Sequence, residues 1–108
     1  IDNTTYGLIN NLGFATAVAL INGTAGNIIQ PVLNASTLTK NGTGDYTFNF
    51  LTNLTTSNYA PQITLGGLGY AAVVTPGVSS IRFKTYNTSG TLTDFSYISL
   101  TIFGGGVA

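Results

Sequence analysis

Short runs in which apolar and polar residues alternate recur along almost the whole chain, and turns rich in Gly and Asn separate them. In the run DYTFNF (45–50), Tyr46, Phe48 and Phe50 fall on one side and polar residues fall on the other. This period of two is that of a β-strand with one buried face. The 3.6-residue apolar spacing of an amphipathic helix does not occur in the sequence. The chain is therefore predicted to be all-β.

About seven or eight strands with short turns predict an antiparallel β-sandwich of jelly-roll-like type. Pro31 marks an edge or a bend, and the segment 27–40 can be one bent strand or two. If it is one, the loop 87–94 shares an end with NGTG and GGLG, and NGTAGN lies at the opposite end. Besides the 45–50 run, the predicted strands are 14–21, 27–34, 59–65, 70–75, 80–86 and 96–103. The number of strands between 27 and 45 is left open.

Two of these runs, FATAVALI (14–21) and YAAVVT (70–75), are apolar at consecutive positions. Such runs are typical of strands that are covered on both faces. The domain prediction is a connection over 1–13, a sandwich over 14–104 and a flexible tail over 105–108. The chain begins with Ile1, and we expect it to be a piece of a longer protein.

Charge is scarce: only 6% of residues are charged, with three cations, three acidic residues and a net charge of zero. A nucleic-acid partner needs several basic contacts and is not expected. The sequence contains no Cys or His, so no disulfide, metal site or cofactor is predicted. No apolar run is long enough to insert into a membrane. A surface with so few charges favours self-association.

The stretch KNGTGDY (40–46) allows two interpretations. Glycines beside a cation can hold a phosphate, but a P-loop needs a helix after its glycines, and no helix pattern follows here. Asn41-Gly42 is a strong hairpin dipeptide, which favours a turn with a positive φ at Gly42. Lys40 and Asp45 would then flank the turn and form a weak surface pair.

No catalytic residue is predicted. Asp2, Asp45 and Asp94 are far apart and adjoin turn residues, and the Ser and Thr hydroxyls have no histidine base. An Asp–Asp site shared between subunits is left open. The Asn-Xaa-Ser/Thr triplets are interpreted as turn chemistry rather than glycan acceptors; they begin at Asn3, Asn22, Asn34, Asn41, Asn53 and Asn87.

The most specific binding hypothesis concerns the loop 87–94, whose flanking Tyr86 and Tyr97 fall opposite in phase to their apolar neighbours. An exposed tyrosine beside neutral Asn, Thr and Ser residues is suited to sugar rings. Packing of these tyrosines in a subunit interface is the equal alternative. The predicted receptor-binding residues are Tyr70, Tyr86, Asn87, Thr88, Ser89, Thr91 and Asp94.

The segments LINGTAGNIIQPVLNASTLTKNGTGDYTFNF, NYAPQI and SSIRFKTYNTSGTLTDFSYISLTIFG together resemble the C-terminal domain of bacteriophage tail fibres and related minor tail proteins. The resemblance covers 20–104 and implies a homotrimeric β-sandwich knob that contacts the host surface, with no catalytic residues. Two departures concern the receptor. The stretch 52–59 lacks the short acidic segment common in that family, and 66–79 is shorter than the expected variable insertions.

The expected function is thus that of a tail-fibre tip on the outside of a virion, which attaches to a bacterial surface receptor such as a carbohydrate. Its other partners are two copies of itself. Closed symmetry would hide the uncharged faces and repeat a weak receptor site. Two alternatives stay open: a trimerising cap or decoration domain without a receptor, and a fragment of a tail depolymerase.

Overall fold

The computed structural model describes residues 15–107, and within them the chain is all strand and turn. Phe14 and the predicted connection over 1–13 lie outside the described residues. The eight strands are β1 (Ala15–Asn22), β2 (Asn27–Leu33), β3 (Ala35–Gly42), β4 (Asp45–Phe50), β5 (Tyr59–Leu65), β6 (Tyr70–Pro76), β7 (Ser80–Tyr86) and β8 (Ile98–Gly104).

The strands form two four-stranded antiparallel sheets. Sheet A has the order β2-β1-β8-β5 and sheet B has the order β3-β4-β7-β6. Inward-facing residues of both sheets form one hydrophobic core between the layers. The predicted all-β antiparallel sandwich is confirmed.

The core follows the alternation in the sequence. β4 and β7 bury every second residue, and so does β8 over its first five positions. The outward positions of β7 include Arg82 and Lys84. Tyr46 and Phe83 pack at a ring-centroid distance of 5.4 Å. The fully buried large side chains are Tyr46, Phe48, Phe83, Ile21, Ile81, Ile98, Leu100, Ile102 and Thr85.

The segment 27–40 forms two strands rather than one, because the chain turns from sheet A to sheet B at Asn34. Asn34 has a φ of 51°, a left-handed conformation that asparagine tolerates better than most residues. Its side chain holds the corner: Nδ2 donates to the Thr52 carbonyl at 3.0 Å and Oδ1 accepts from the Thr52 amide at 2.6 Å. The chain therefore runs away from NGTAG along β2 and returns along β3 to NGTG.

This reversal gathers four connections at one end of the sandwich, here called the turn end: 23–26, 43–44, 66–69 and 87–97. Hydrogen bonds join them, such as the Gly23 amide to the Phe95 carbonyl at 2.8 Å. The NGTAGN turn thus shares an end with NGTG and GGLG, and its placement at the opposite end was wrong. β1 begins at that opposite end.

Within one chain the run 70–75 is not covered on both faces, and its coverage by other copies stays a prediction. Among residues 15–107, β6 is an edge strand that pairs with β7 alone, and Val73 and Val74 are 40% and 44% exposed. A continuous apolar run does not distinguish a central strand from an edge strand, because both are compatible with the same local backbone.

The hairpin in KNGTGDY is confirmed, but its turn lies two residues later than predicted. Gly42 pairs with Asp45 as the last residue of β3, and the positive φ belongs to Gly44, at 62°. A Cβ on Gly44 would lie 2.6 Å from the Thr85 carbonyl oxygen, whereas a Cβ on Gly42 would meet nothing within 4 Å. A register shift between Lys40 and Gly42 displaces the turn.

The last described residues contact the sandwich. The Thr55 amide donates to the Gly105 carbonyl at 3.0 Å, and Val107 forms an isolated bridge with Leu54. The flexibility predicted for 105–108 stays a prediction.

The two glycines of the hairpin should respond very differently to valine. Gly44→Val should lower the free energy of unfolding by about 2–4 kcal/mol, because a β-branched residue resists positive φ and its Cβ would collide with backbone atoms. Gly42→Val should change it by no more than about 0.5 kcal/mol. Urea unfolding of both variants measures this. Equal destabilisation by the two substitutions would contradict the assigned turn.

Candidate functional site

The turn end is organised around the carboxylate of Asp94. Its Oδ1 accepts hydrogen bonds from the Gly44 amide at 2.8 Å and lies 2.7 Å from the Tyr46 hydroxyl. Its Oδ2 accepts from Lys40 Nζ at 2.7 Å. Lys40 Nζ also donates to the Thr24 carbonyl at 3.0 Å. Asp94 and Lys40 together therefore join three of the four connections at this end.

The ionisation behaviour of this cluster follows from its partners. Partial burial opposes ionisation of Asp94, but Lys40, the Gly44 amide and the Tyr46 hydroxyl outweigh it and hold the carboxyl pKa below its usual range. Burial, followed by the neighbouring Asp94 carboxylate, raises the pKa of Tyr46. Tyr46 therefore keeps its proton as a donor. Its oxygen also lies 2.9 Å from the Gly23 carbonyl.

The predicted pairing of Lys40 with Asp45 is wrong. Lys40 pairs with Asp94, and Asp45 makes a two-point contact with Arg82 on the outer face of sheet B. Arg82 Nε lies 2.9 Å from Asp45 Oδ1 and Nη2 lies 2.6 Å from Oδ2. The hydrogen bonds from Arg82, partly opposed by burial, lower the pKa of Asp45. Packing at the turn end brings Lys40 to Asp94, which lies 54 positions away in the sequence.

The loop after β7 is shaped by Asn87 and presents its hydroxyls outward. Asn87 Oδ1 accepts from the amides of Ser89 and Thr91 at 2.9 and 3.1 Å, and Gly90 has a φ of 80°. The side chains of Thr88, Ser89 and Thr91 are exposed. Within 15–107 their hydroxyls make no hydrogen bond. Three neutral hydroxyls are thus available to a ligand.

Tyr70 and Tyr86 lie together beside this loop. They are directly opposite on β6 and β7, and their rings stack with centroids 5.0 Å apart and an interplanar angle of 18°. Tyr70 is 50% exposed. Tyr97, the other flanking tyrosine, is elsewhere and packs over Gly66. The structure therefore joins Tyr70 and Tyr86 to the loop and separates Tyr97 from them.

The glycines of GGLG allow the 66–69 connection to lie close over Phe95. A Cβ on Gly69 would be 2.2 Å from the Tyr86 carbonyl oxygen and 2.7 Å from the Phe95 ring. A side chain at this position is incompatible with that approach. Leu68 projects from the same connection and is 85% exposed.

The predicted receptor residues thus fall into two groups. Tyr70, Tyr86 and the three loop hydroxyls are presented on the surface, whereas Asn87 and Asp94 use their side-chain oxygens to hold the loop and the turn end. Neither described aspartate has the raised pKa expected of a general acid. Residues 15–107 contain no cluster of three or more metal-binding side chains.

Comparison with family models, with curated proteins and with solved structures finds no match. Among the described residues, no helix could span a membrane.

Sequence reasoning missed the Lys40–Asp94–Tyr46 cluster. Its members lie on β3, on β4 and in the loop before β8, and no local spacing connects them. The alternation correctly placed the Tyr46 ring in the core, but it carries no information about the hydroxyl. A buried tyrosine hydroxyl generally needs a polar partner, and this was the one available signal.

Asp94→Asn should destabilise the protein at neutral pH by about 1.5–3 kcal/mol, the range of hydrogen bonds to a charged group. The amide nitrogen would face a donor wherever it pointed, because all three neighbouring groups donate. Thermal and urea unfolding measure the loss. A matched control is Asp45→Asn, which removes a carboxylate from the outer face of sheet B and leaves the turn end intact.

The difference in the free energy of unfolding between wild type and Asp94→Asn should decrease as the pH falls. Because the folded pKa of Asp94 is lowered, its contribution is complete above the unfolded value of about 3.9 and is lost as the pH falls through the folded value. Unfolding curves from pH 7 to pH 2 should therefore converge at the acid end. A constant difference would contradict the ionised pair.

Proposed function

We propose that this chain is the tip domain of a bacteriophage tail fibre and attaches the virion to a structure on the bacterial surface. The observation that carries the proposal is the turn end. There, three exposed hydroxyls and a stacked tyrosine pair lie on a rigid base, at the end opposite the start of β1. The resemblance of 20–104 to tail-fibre C-terminal domains supports the same function.

The chemistry of this end favours a hydroxyl-rich ligand such as a carbohydrate. Hydroxyls of Thr and Ser both donate and accept, as sugar hydroxyls do, and an exposed tyrosine ring accommodates the apolar face of a pyranose. Asp94 belongs to the base rather than the contact surface in this proposal, because its oxygens already have internal partners.

We further propose that the tip is a homotrimer whose subunits meet through the outer face of sheet A. The five charged residues within 15–107 lie on sheet B and in the loop before β8, and none lies on the four strands of sheet A. That outer face carries apolar side chains in adjacent positions, including the cross-strand pair Val18 and Leu33. Leu33 is 44% exposed and Phe103 is 36% exposed. Burial of such a face stabilises association.

Removing the loop hydroxyls should weaken receptor binding by the domain without disturbing the fold. The variant Thr88→Ala, Ser89→Ala, Thr91→Ala removes three groups that make no hydrogen bond within 15–107, so its unfolding curve should match wild type. The purified variant should need at least about tenfold more protein than wild type to block phage adsorption, the factor for a loss of 1.4 kcal/mol in binding free energy. The matched control is Thr52→Ala, Ser57→Ala, Ser79→Ala at the opposite end. Unchanged competition by the loop variant would contradict the site.

A charge in the outer face of sheet A should dissociate the assembly. Val18→Lys places an ammonium in the proposed interface, where burial without a partner is costly, and sedimentation velocity should show a folded monomer. Thr39→Lys places the same charge on the outer face of sheet B and should leave the trimer intact. A wild-type chain that sediments as a folded monomer at micromolar concentration would overturn the trimer.

A further inference from the structure

Of the three cations within 15–107, Lys84 is the one that forms no ion pair. Lys40 pairs with Asp94 and Arg82 pairs with Asp45. Within 15–107, Lys84 has no carboxylate oxygen within salt-bridge distance. Two cations, Arg82 and Lys84, thus share this part of sheet B with one carboxylate, Asp45, and leave it positive.

The register places Lys84 on the outer face of sheet B. Its neighbours along β7, Phe83 and Thr85, are fully buried, so its side chain points away from the core. Across the sheet it lies opposite Asp45 on one side and Ala72 on the other. Both carboxylate oxygens of Asp45 already accept from Arg82. The ammonium is thus available to a ligand.

The same face carries the stacked tyrosine pair. Tyr86 follows Lys84 by two residues, and Tyr70 and Ala72 are the residues opposite them on β6. Tyr70 and Lys84 are thus diagonal neighbours. Such neighbours have Cα atoms about 7–8 Å apart, within reach of long and aromatic side chains. Ala72 is small and exposed, so no large side chain of β6 stands opposite Lys84.

We propose that this face binds an anionic saccharide, a pyranose that bears a carboxylate group. The inference rests on the proposed attachment function and deepens it. The apolar face of the ring packs against Tyr70, and the anionic group accepts a charge-assisted hydrogen bond from Lys84. The loop hydroxyls of Thr88 and Thr91 contact the ring hydroxyls. Neutral sugars keep the stacking contact and lose the ionic one.

The exposed position of the site determines how it behaves. The Lys84 contact is screened by salt, and each single site is weak. Three copies in a trimer raise the apparent affinity without any new contact. Binding of the anionic sugar should therefore weaken as the salt concentration rises, and binding of a neutral sugar should not.

The test is an NMR titration of the full chain with six probes: the methyl glycosides of glucuronate, galacturonate and mannuronate, and those of glucose, galactose and mannose. Each acid and its neutral counterpart share one ring and differ in the anionic group. At least one uronide should shift the ring resonances of Tyr70 and Tyr86 and the side-chain resonances of Lys84. Its neutral counterpart should bind about twofold to fivefold more weakly, because an exposed ion pair contributes at most about 1 kcal/mol.

Lys84→Gln should reduce the affinity for that uronide to the level of the neutral sugar, whereas Lys84→Arg should retain it. Lys84 makes no hydrogen bond within 15–107, so both variants should fold. Equal affinity for acid and neutral sugar, an unchanged affinity in Lys84→Gln, or the absence of shifts with all three uronides would overturn the inference.

A second measurement separates this inference from the attachment function. The purified domain and its Lys84→Gln variant are compared as competitors of phage adsorption to host cells. Weaker competition by the variant supports the anionic receptor. Equal competition by the two overturns the anionic receptor and leaves attachment standing. If the wild-type domain fails to compete at all, the attachment function itself is overturned, and the sugar titrations still decide whether the face binds anionic saccharides.

Discussion

The arrangement of the turn end depends on one partly buried carboxylate. Asp94 lies in the loop before β8, yet its two oxygens bind groups from β3, β4 and the turn between them. Lys40 extends the cluster to the β1–β2 turn. The loop that carries the exposed hydroxyls and the hairpin of β3 and β4 are therefore held by the same ionised group. A binding surface made of loops gains rigidity when its base is fixed in this way.

Charge is distributed unevenly over the sandwich, and this unevenness gives its surfaces different uses. Sheet B carries the ion pair of Arg82 with Asp45 and a network of Asn and Thr side chains, such as Asn49 with Thr37 and Thr39. Sheet A carries no charge on its strands and presents apolar side chains outward. Water solvates the first face well, and association is more favourable for the second. The two outer faces therefore differ in chemistry, and the ligand site and the subunit interface proposed above use this difference.

The candidate site was predictable in its parts but not in its assembly. The phase of Tyr86 against Phe83 showed that its ring leaves the core, and the polar composition of 87–94 marked an exposed loop. The stacking of Tyr70 on Tyr86 depends on the register of β6 against β7. The sequence of the strands and of the GGLG connection does not define that register. Alternation in β7 puts Lys84 on the outer face, but whether it keeps an ion-pair partner depends on the contacts of the other four charged residues within 15–107. Asp94 was predicted as a receptor contact, and its oxygens are instead occupied inside the protein.

By itself, the sequence determined the class of the fold and the buried face of strictly alternating strands such as β4, β7 and β8. A period of two specifies which side chains share a face, and burial of the apolar face is the dominant stabilising contribution. Tertiary structure alone decided the turn at Thr43-Gly44, the edge position of β6 and the corner at Asn34 that brings four connections to one end. Each of these depends on contacts between residues distant in the chain. The local backbone tolerates several alternatives at such points, and only packing of one sheet against the other selects among them.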